Sequence, residues 1–169
     1  MDYEQLIHER YSCRKFSNKK VEKDLLDKIL EAGRVAPTAK NQQPIKIYVC
    51  ESNDALKKID QVSPCRYNAP VVLAVVYKHD EMWKSPINDG LHSGVEDVAI
   101  VATHMMLETK NLGLDSCWVK YFDSKKFNEV FGLSDNETCV LLLPLGYGEI
   151  GPGPMHKQKK DISKLVEYR

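Results

Sequence analysis

The stretch RYSCRKFSNKKVEKDLLDKILEAGRVAPTAKNQQP, Arg10 to Pro44, holds two polar clusters separated by one apolar-striped segment. Leu25, Leu26, Ile29 and Leu30 recur at helical spacing, and Ser17 and Asn18 offer N-caps, so the spacing predicts a helix between the clusters. Pro37 stops it, because a proline disfavours helical geometry at the preceding residue, Ala36. The first cluster, RYSCRKF (Arg10 to Phe16), thus precedes a helix, and the second, PTAKNQQP (Pro37 to Pro44), fills the loop after it. Arg10, Ser12 and Arg14 place two guanidinium forks around a hydroxyl. In an extended segment side-chain direction repeats every two residues, so these three can face one way. Thr38, Asn41, Gln42 and Gln43 offer hydroxyl and carboxamide groups that both donate and accept.

Outward from this stretch, Asp2–Glu9 reads as a short helix, Ile45–Glu51 as a strand and Asn53–Val62 as a helix. Val71–Tyr77, VVLAVVY, is a continuous β-branched run typical of a strand buried on both faces. His79–His92 reads as a surface loop. Gly94–Asn111 carries Val95, Val98, Ala99, Ala102, Met105 and Met106 at helical spacing, with Gly113 as the residue that ends the helix. Leu114–Tyr121 reads as a strand, Asp123–Phe131 as a helix capped by Asp123 or Ser124, and Thr138–Leu145 as a second buried strand. Gly146 to Pro154, GYGEIGPGP, is irregular, and the tail from Met155 to Lys160 is basic. About four strands interleave with four or five helices. No GxGxxG follows the first strand, and GYGEIG (Gly146 to Gly151) opens no helix, so the Rossmann and P-loop readings both fail.

The 169 residues form one domain, 1–169, by the length prior, enough to bury roughly 70% of the unfolded surface. Lysine and arginine total 24, as do aspartate and glutamate, a balance that argues against nucleic acid as a partner. The five cysteines show no CxxC spacing and read as reduced thiols of a cytoplasmic protein, with no metal site. The N-terminus lacks a signal-peptide core, and no apolar run is long enough to span a bilayer.

Cations around a hydroxyl suit a phosphate, and carboxamides suit a planar heterocycle edged with donors and acceptors. A ligand with both ends is flavin mononucleotide (FMN). Arg10 with Lys157 and Lys159 of the tail would meet the phosphate charge. A cation such as Arg14 near the pyrimidine edge of the ring would stabilise the charge that reduction puts there. Taken one by one, these residues also read blandly, as solvated charges, a polar loop and a solvated tail. Trp118 by itself reads as core or interface, and Met105–Met106 as core. The five histidines show no spacing for a triad or a metal.

The order of the clusters resembles that of the nitroreductase family, whose members are FMN-dependent oxidoreductases. RYSCR (Arg10 to Arg14) resembles the family's R-x-S-x-R/K element, and PTAKNQQP its P-S-x-x-N-x-Q-P element. LGLDSCW (Leu112 to Trp118) is similar to its L-G-L-G-x-x-W segment. LPLGY (Leu143 to Tyr147) and KQKK (Lys157 to Lys160) resemble its closing P-x-G-Y and K-x-R elements. The resemblance implies an α+β, three-layer fold with a mainly antiparallel central sheet flanked by helices, intertwined as a homodimer with two FMN sites at the interface. It implies that Arg10, Tyr11 and Ser12 contact the phosphate and ribityl chain, with Lys157 and Lys159 completing that end, and that Arg14 lies at the ring edge. Pro37, Thr38, Ala39, Asn41 and Gln43 would come from the partner subunit, and Trp118, Val119 and Lys120, through to Tyr121, would place backbone groups near the ring. The implied activity is ping-pong hydride transfer from NADH or NADPH to FMN, then to a small electron-poor acceptor such as a nitroaromatic or quinone. A flavin-fragmenting or dehalogenating relative of the same fold, or a flavin-binding sensor or storage protein, stays open beside it.

Overall fold

The computed structural model describes every residue from Met1 to Arg169. Five helices and four strands alternate along the chain. Helix α1 (Tyr3–Glu9) and helix α2 (Lys23–Arg34) precede strand β1 (Ile45–Cys50). Helix α3 (Asn53–Val62), strand β2 (Val71–Lys78) and helix α4 (Gly94–Asn111) follow. Strand β3 (Asp115–Ser116), helix α5 (Ser124–Phe131) and strand β4 (Glu137–Gly146) complete the regular elements. The sheet order is β1-β2-β4-β3, and every neighbouring pair is antiparallel.

Three layers result because β2 and β4 have no polar face. Leu73, Val75, Leu141 and Leu143 pack with Ile29 of α2 and Val98, Val101 and Met105 of α4 on one side. Val72, Ala74, Val76 and Leu142 pack with Ile59 of α3 and Phe127 of α5 on the other. Residues 71–77 are buried without a break, as a strand covered on both faces requires. Gly33 lets α2 approach α4: a β-carbon there would stand 2.9 Å from both Cγ and Sδ of Met105. No helix is long and apolar enough to cross a membrane.

Two elements differ from the sequence reading. Helix α2 begins after Glu22, without a side-chain cap, and not at Ser17 or Asn18. The backbone there is taken by distant partners: Phe16 N–H donates to the Tyr67 carbonyl and Ser17 N–H to that of Tyr147, at 3.0 and 2.9 Å. Leu114–Tyr121 is a strand only at Asp115–Ser116, with an isolated bridge at Val119–Leu142. Cys117 N–H donates to the Pro144 carbonyl at 3.0 Å, but a proline has no N–H to return, so the ladder breaks.

Candidate functional site

The first cluster runs along the β3 edge of the sheet. Ser12 makes a parallel bridge with Ser116, and Cys13 N–H donates to the Ser116 carbonyl at 3.0 Å. This extended path turns Cys13 into the protein and leaves Ser12 half-buried and Arg14 exposed. Arg10, Tyr11, Ser12 and Arg14 then line one open cleft of about 430 Å³ together with Gly153 to His156 and Lys159. No aspartate or glutamate lines it. Arg10, Arg14, Lys157 and Lys159 take part in no ion pair, whereas nine other pairs form on the same molecule. Uncompensated cations around a hydroxyl make a site for an anion. Lys157 sits exposed in the turn Pro154–Lys157 beside the cleft without lining it. Lys159 Nζ donates to the His156 carbonyl at 2.7 Å, and the His156 ring lies 3.0 Å from the His8 carbonyl, which draws the tail toward α1.

Tyr11 is the hinge pin of this cleft. Its hydroxyl proton is shared between the Ile150 carbonyl at 2.8 Å and Asp115 Oδ2 at 3.1 Å. Burial, and then the Asp115 carboxylate beside it, holds the phenol well above its ordinary value. Lys110 closes the group, 3.2 Å from Asp115 Oδ1 and over the Tyr11 ring. The Tyr11 hydroxyl is therefore committed to fastening the returning chain, and a ligand would meet the rest of the residue.

The second cluster lies between α2 and β1 at the opposite sheet edge. Thr38 and Gln43 rim a groove of about 210 Å³ floored by Leu30, Ala36, Ile45, Ile47 and Val101. Thr38 Oγ1 accepts from Gln43 N–H at 3.0 Å, which folds the loop back on itself. Ala39 N–H donates to Asp97 Oδ1 at 2.8 Å. Pro37, Asn41 and Gln43 are exposed.

Helix α4 measures the gap between the clusters. Ala39 is tied to Asp97 and the Arg10 guanidinium reaches toward Met106 Sδ at 4.0 Å, so their anchors stand nine residues apart, about 14 Å along the axis. The two clefts share no lining residue. Within one chain the clusters do not meet. Trp118, Val119 and Lys120 line neither cleft. Trp118 packs half-buried against the α2–α4 side of the core. Val119 pairs both backbone groups with Leu142, at 2.9 and 3.0 Å. The Lys120 ammonium donates to the Val140 carbonyl at 2.8 Å.

A family model described as "Nitroreductase family" matches residues 7–66 and 63–147. The chain belongs to the nitroreductase family. A nitroreductase family protein of Clostridium difficile superposes with a TM-score of 0.94 at 35% identity, over 99% of this chain and 98% of its own. A Methanothermobacter thermautotrophicus protein, provisionally named an NADH dehydrogenase/NAD(P)H nitroreductase, is 28% identical over 161 residues, 90% of this chain and 81% of that protein. A provisionally assigned nitroreductase of Exiguobacterium sibiricum, solved in complex with FMN, has the same fold, with a TM-score of 0.87 at 18% identity over 100% of this chain and 98% of its own. The matched span of this nitroreductase-family chain includes both polar clusters and ends at Tyr147, so Lys157 and Lys159 lie beyond it.

Sequence reasoning missed three residues: one that braces the second cluster, one that holds Tyr11, and one beside Arg14. Asp97 stands in the buried row of α4 with Gly94, Val98 and Val101, and an acid in an apolar stripe was a readable signal. Asp115 had no such signal, since its partners Tyr11 and Lys110 come from other segments. Tyr67 is the third. Its hydroxyl is pushed up to about 12 by burial foremost and by the Cys65 thiol, with the Arg14 guanidinium pulling the other way.

Proposed function

We propose that this chain is an FMN-dependent oxidoreductase, a single domain over residues 1–169 that works as a homodimer. It draws reducing equivalents from NADH or NADPH and delivers them to a small electron-poor acceptor such as a nitroaromatic or a quinone. The observation that carries this reading is the cleft in which Arg10, Arg14 and Lys159 surround Ser12 with no carboxylate among them. That donor set fits a phosphate monoester dianion, which needs charge-assisted bonds and is repelled by acids. FMN bound there would supply reversible hydride chemistry, which suits a ping-pong exchange between nicotinamide and acceptor.

The protein's share is binding, orientation and charge. Arg10, Ser12, Lys157 and Lys159 hold the phosphate end, and the Tyr11 hydroxyl fastens the returning chain at Ile150 beside it. Arg14 brings positive charge to the ring edge, where reduction adds electron density. Pro37, Thr38, Ala39, Asn41 and Gln43 serve the ring bound to the partner subunit. Their distance from Arg10 along α4 supports that division of labour. Exposed apolar side chains support a second copy as well: Val35 after α2, Val95 and Ile100 on α4, and Ile162, Leu165 and Tyr168 near the C-terminus. No side chain is assigned a proton-transfer role.

Anaerobic addition of NADH or NADPH to purified protein reconstituted with FMN tests the proposal. Rapid loss of the oxidised-flavin absorbance, and its return on adding a quinone, is the expected result. Protein that takes up no FMN, or bound flavin that neither donor reduces, overturns it.

A further inference from the structure

The loop Thr38–Gln43 holds three non-glycine residues in the left-handed region, Lys40, Asn41 and Gln43, at φ 51°, 55° and 51°. Such a backbone persists only where its surroundings over-determine it. Four bonds close the loop on itself, from Asn41 N–H to the Thr38 carbonyl, from Gln42 N–H to the Ala39 carbonyl, from Gln43 N–H to Thr38 Oγ1 and from Gln43 Nε2 to the Asn41 carbonyl. One hydrogen bond reaches it from elsewhere in the chain, and the partner is Asp97.

Asp97 is 1% exposed and takes part in no ion pair. A buried carboxylate without a cation is costly unless its oxygens are well used. Each oxygen here serves a different segment. Oδ1 accepts from Ala39 N–H at 2.8 Å, and Oδ2 accepts from the Ser93 hydroxyl at 2.6 Å. Ser93 Oγ in turn accepts from Trp83 N–H at 3.2 Å, and Ser93 N–H donates to the Trp83 carbonyl at 3.0 Å. The carboxylate also sits in the first turn of α4, the end of a helix that favours negative charge. One buried acid thus fastens the second polar cluster to the same helix turn as the base of a hairpin, residues 83–92, that the antiparallel Lys84–His92 bridge closes.

We propose that Asp97, oriented by Ser93, is the positioning residue that sets the Thr38–Gln43 backbone and couples it to the 83–92 hairpin. For the ligand this rests on the assignment of Thr38–Gln43 to the flavin ring. Losing Asp97 frees the left-handed residues to relax, and the ring then has to order the loop as it binds. The amide groups would still be present but no longer preset.

The test compares Asp97→Ala, Asp97→Asn and Ser93→Ala with Val98→Ala, a core truncation one residue away that leaves the node intact. FMN affinity is read from quenching of free-flavin fluorescence, the ring environment from visible circular dichroism, and loop order from amide hydrogen exchange of the FMN-free protein. Asp97→Ala should raise the FMN Kd about tenfold or more, the worth of one hydrogen bond to a charged group. It should also alter the visible dichroism and speed exchange in 38–43 and 83–92. Asp97→Asn keeps an acceptor for Ala39 N–H and should restore most of the affinity. Ser93→Ala should fall between and speed exchange most in the hairpin. Val98→Ala should lower the melting temperature yet leave Kd and dichroism unchanged.

An Asp97→Ala protein that binds FMN as the parent does, or a Val98→Ala protein with the same Kd shift, overturns the proposal. If Asp97→Ala fails to fold, Ser93→Ala decides, and parental affinity and exchange there overturn it equally. If the parent itself takes up no FMN, the flavin assignment falls. The exchange data then decide the anchoring alone, with unchanged protection of 38–43 in Asp97→Ala overturning it.

Discussion

Replacing Gly148 by alanine should cost this protein about 2–5 kcal/mol, most of it through one carboxylate. Gly148 bridges Phe16 where the chain returns past the first cluster. A β-carbon there would stand 2.5 Å from Asp115 Oδ2 and 2.9 Å from Cys13 Sγ. Cys13 is fully buried and cannot retreat, so the carboxylate must move, by about 1 Å to reach ordinary contact. It is held at 3.1 Å by the Tyr11 hydroxyl and at 3.2 Å by Lys110, and its side chain is only 13% exposed. Overpacking of this kind costs about 1–3 kcal/mol. Losing a hydrogen bond to a charged group adds about 1.5–3 kcal/mol. The stiffer unfolded chain of an alanine variant returns about 0.5–1 kcal/mol, which leaves the net figure. Urea unfolding at constant m-value measures it, and the variant stays folded because domains hold about 5–15 kcal/mol. In an Asp115→Ala background the obstructing oxygen is gone and only the 2.9 Å approach to Cys13 Sγ remains, so Gly148→Ala should there cost less. A Gly148→Ala protein within about 0.5 kcal/mol of the parent, or an equal cost in both backgrounds, refutes the reasoning.

Three more outcomes follow from the geometry. Arg10→Ala should raise the FMN Kd about 10–100-fold while leaving the melting temperature of the FMN-free protein unchanged, because Arg10 has no ion pair and only a 4.0 Å contact with Met106 Sδ. Arg14→Ala should slow reduction by NAD(P)H more than it weakens binding, and equal effects on both would remove its assignment to the ring edge. Glu137 bonds Lys46 at 2.7 Å and Tyr48 at 3.1 Å; burial pushes its carboxyl up, but those partners and Ser134 N–H hold it below the ordinary value. A carboxyl lowered in the fold stabilises it above the unfolded value near pH 4.3 and loses that contribution as pH falls through the folded one. The stability gap between the parent and Glu137→Gln should therefore be constant from about pH 6 to 8 and narrow below about pH 4, by urea unfolding at each pH.

Much of this architecture was legible because the strongest signals are local. VVLAVVY is too uniformly apolar for anything but a doubly covered strand, and the Gly94–Asn111 stripe ends at Gly113, whose φ of +80° a β-carbon disfavours. The period of two around Ser12 correctly aligned Arg10 and Arg14 on one cleft. What escaped depends on partners distant in the chain. Ser17 and Asn18 have the chemistry of caps, but carbonyls of Tyr67 and Tyr147 hold this stretch extended. Cys117 to Tyr121 has strand composition, but Pro144 on the neighbouring strand breaks the ladder. The separation of the two polar clusters was the largest unknown, since only the sheet order puts them at opposite edges. Their chemistry was readable from residue types, and their geometry was not.

Complementation between two defective chains tests the central claim, that each flavin is held by the Arg10 cluster of one subunit and the Asn41 cluster of the other. An Arg10→Ala chain and an Asn41→Ala/Gln43→Ala chain would be unfolded together, refolded as a mixture and titrated with FMN. If the clusters serve one flavin from opposite subunits, each mixed dimer has one intact site and one doubly defective site. Random two-fold pairing then restores parental affinity at about a quarter of all sites, although neither variant alone shows any. A mixture that binds FMN only as the two separate variants do would contradict the account.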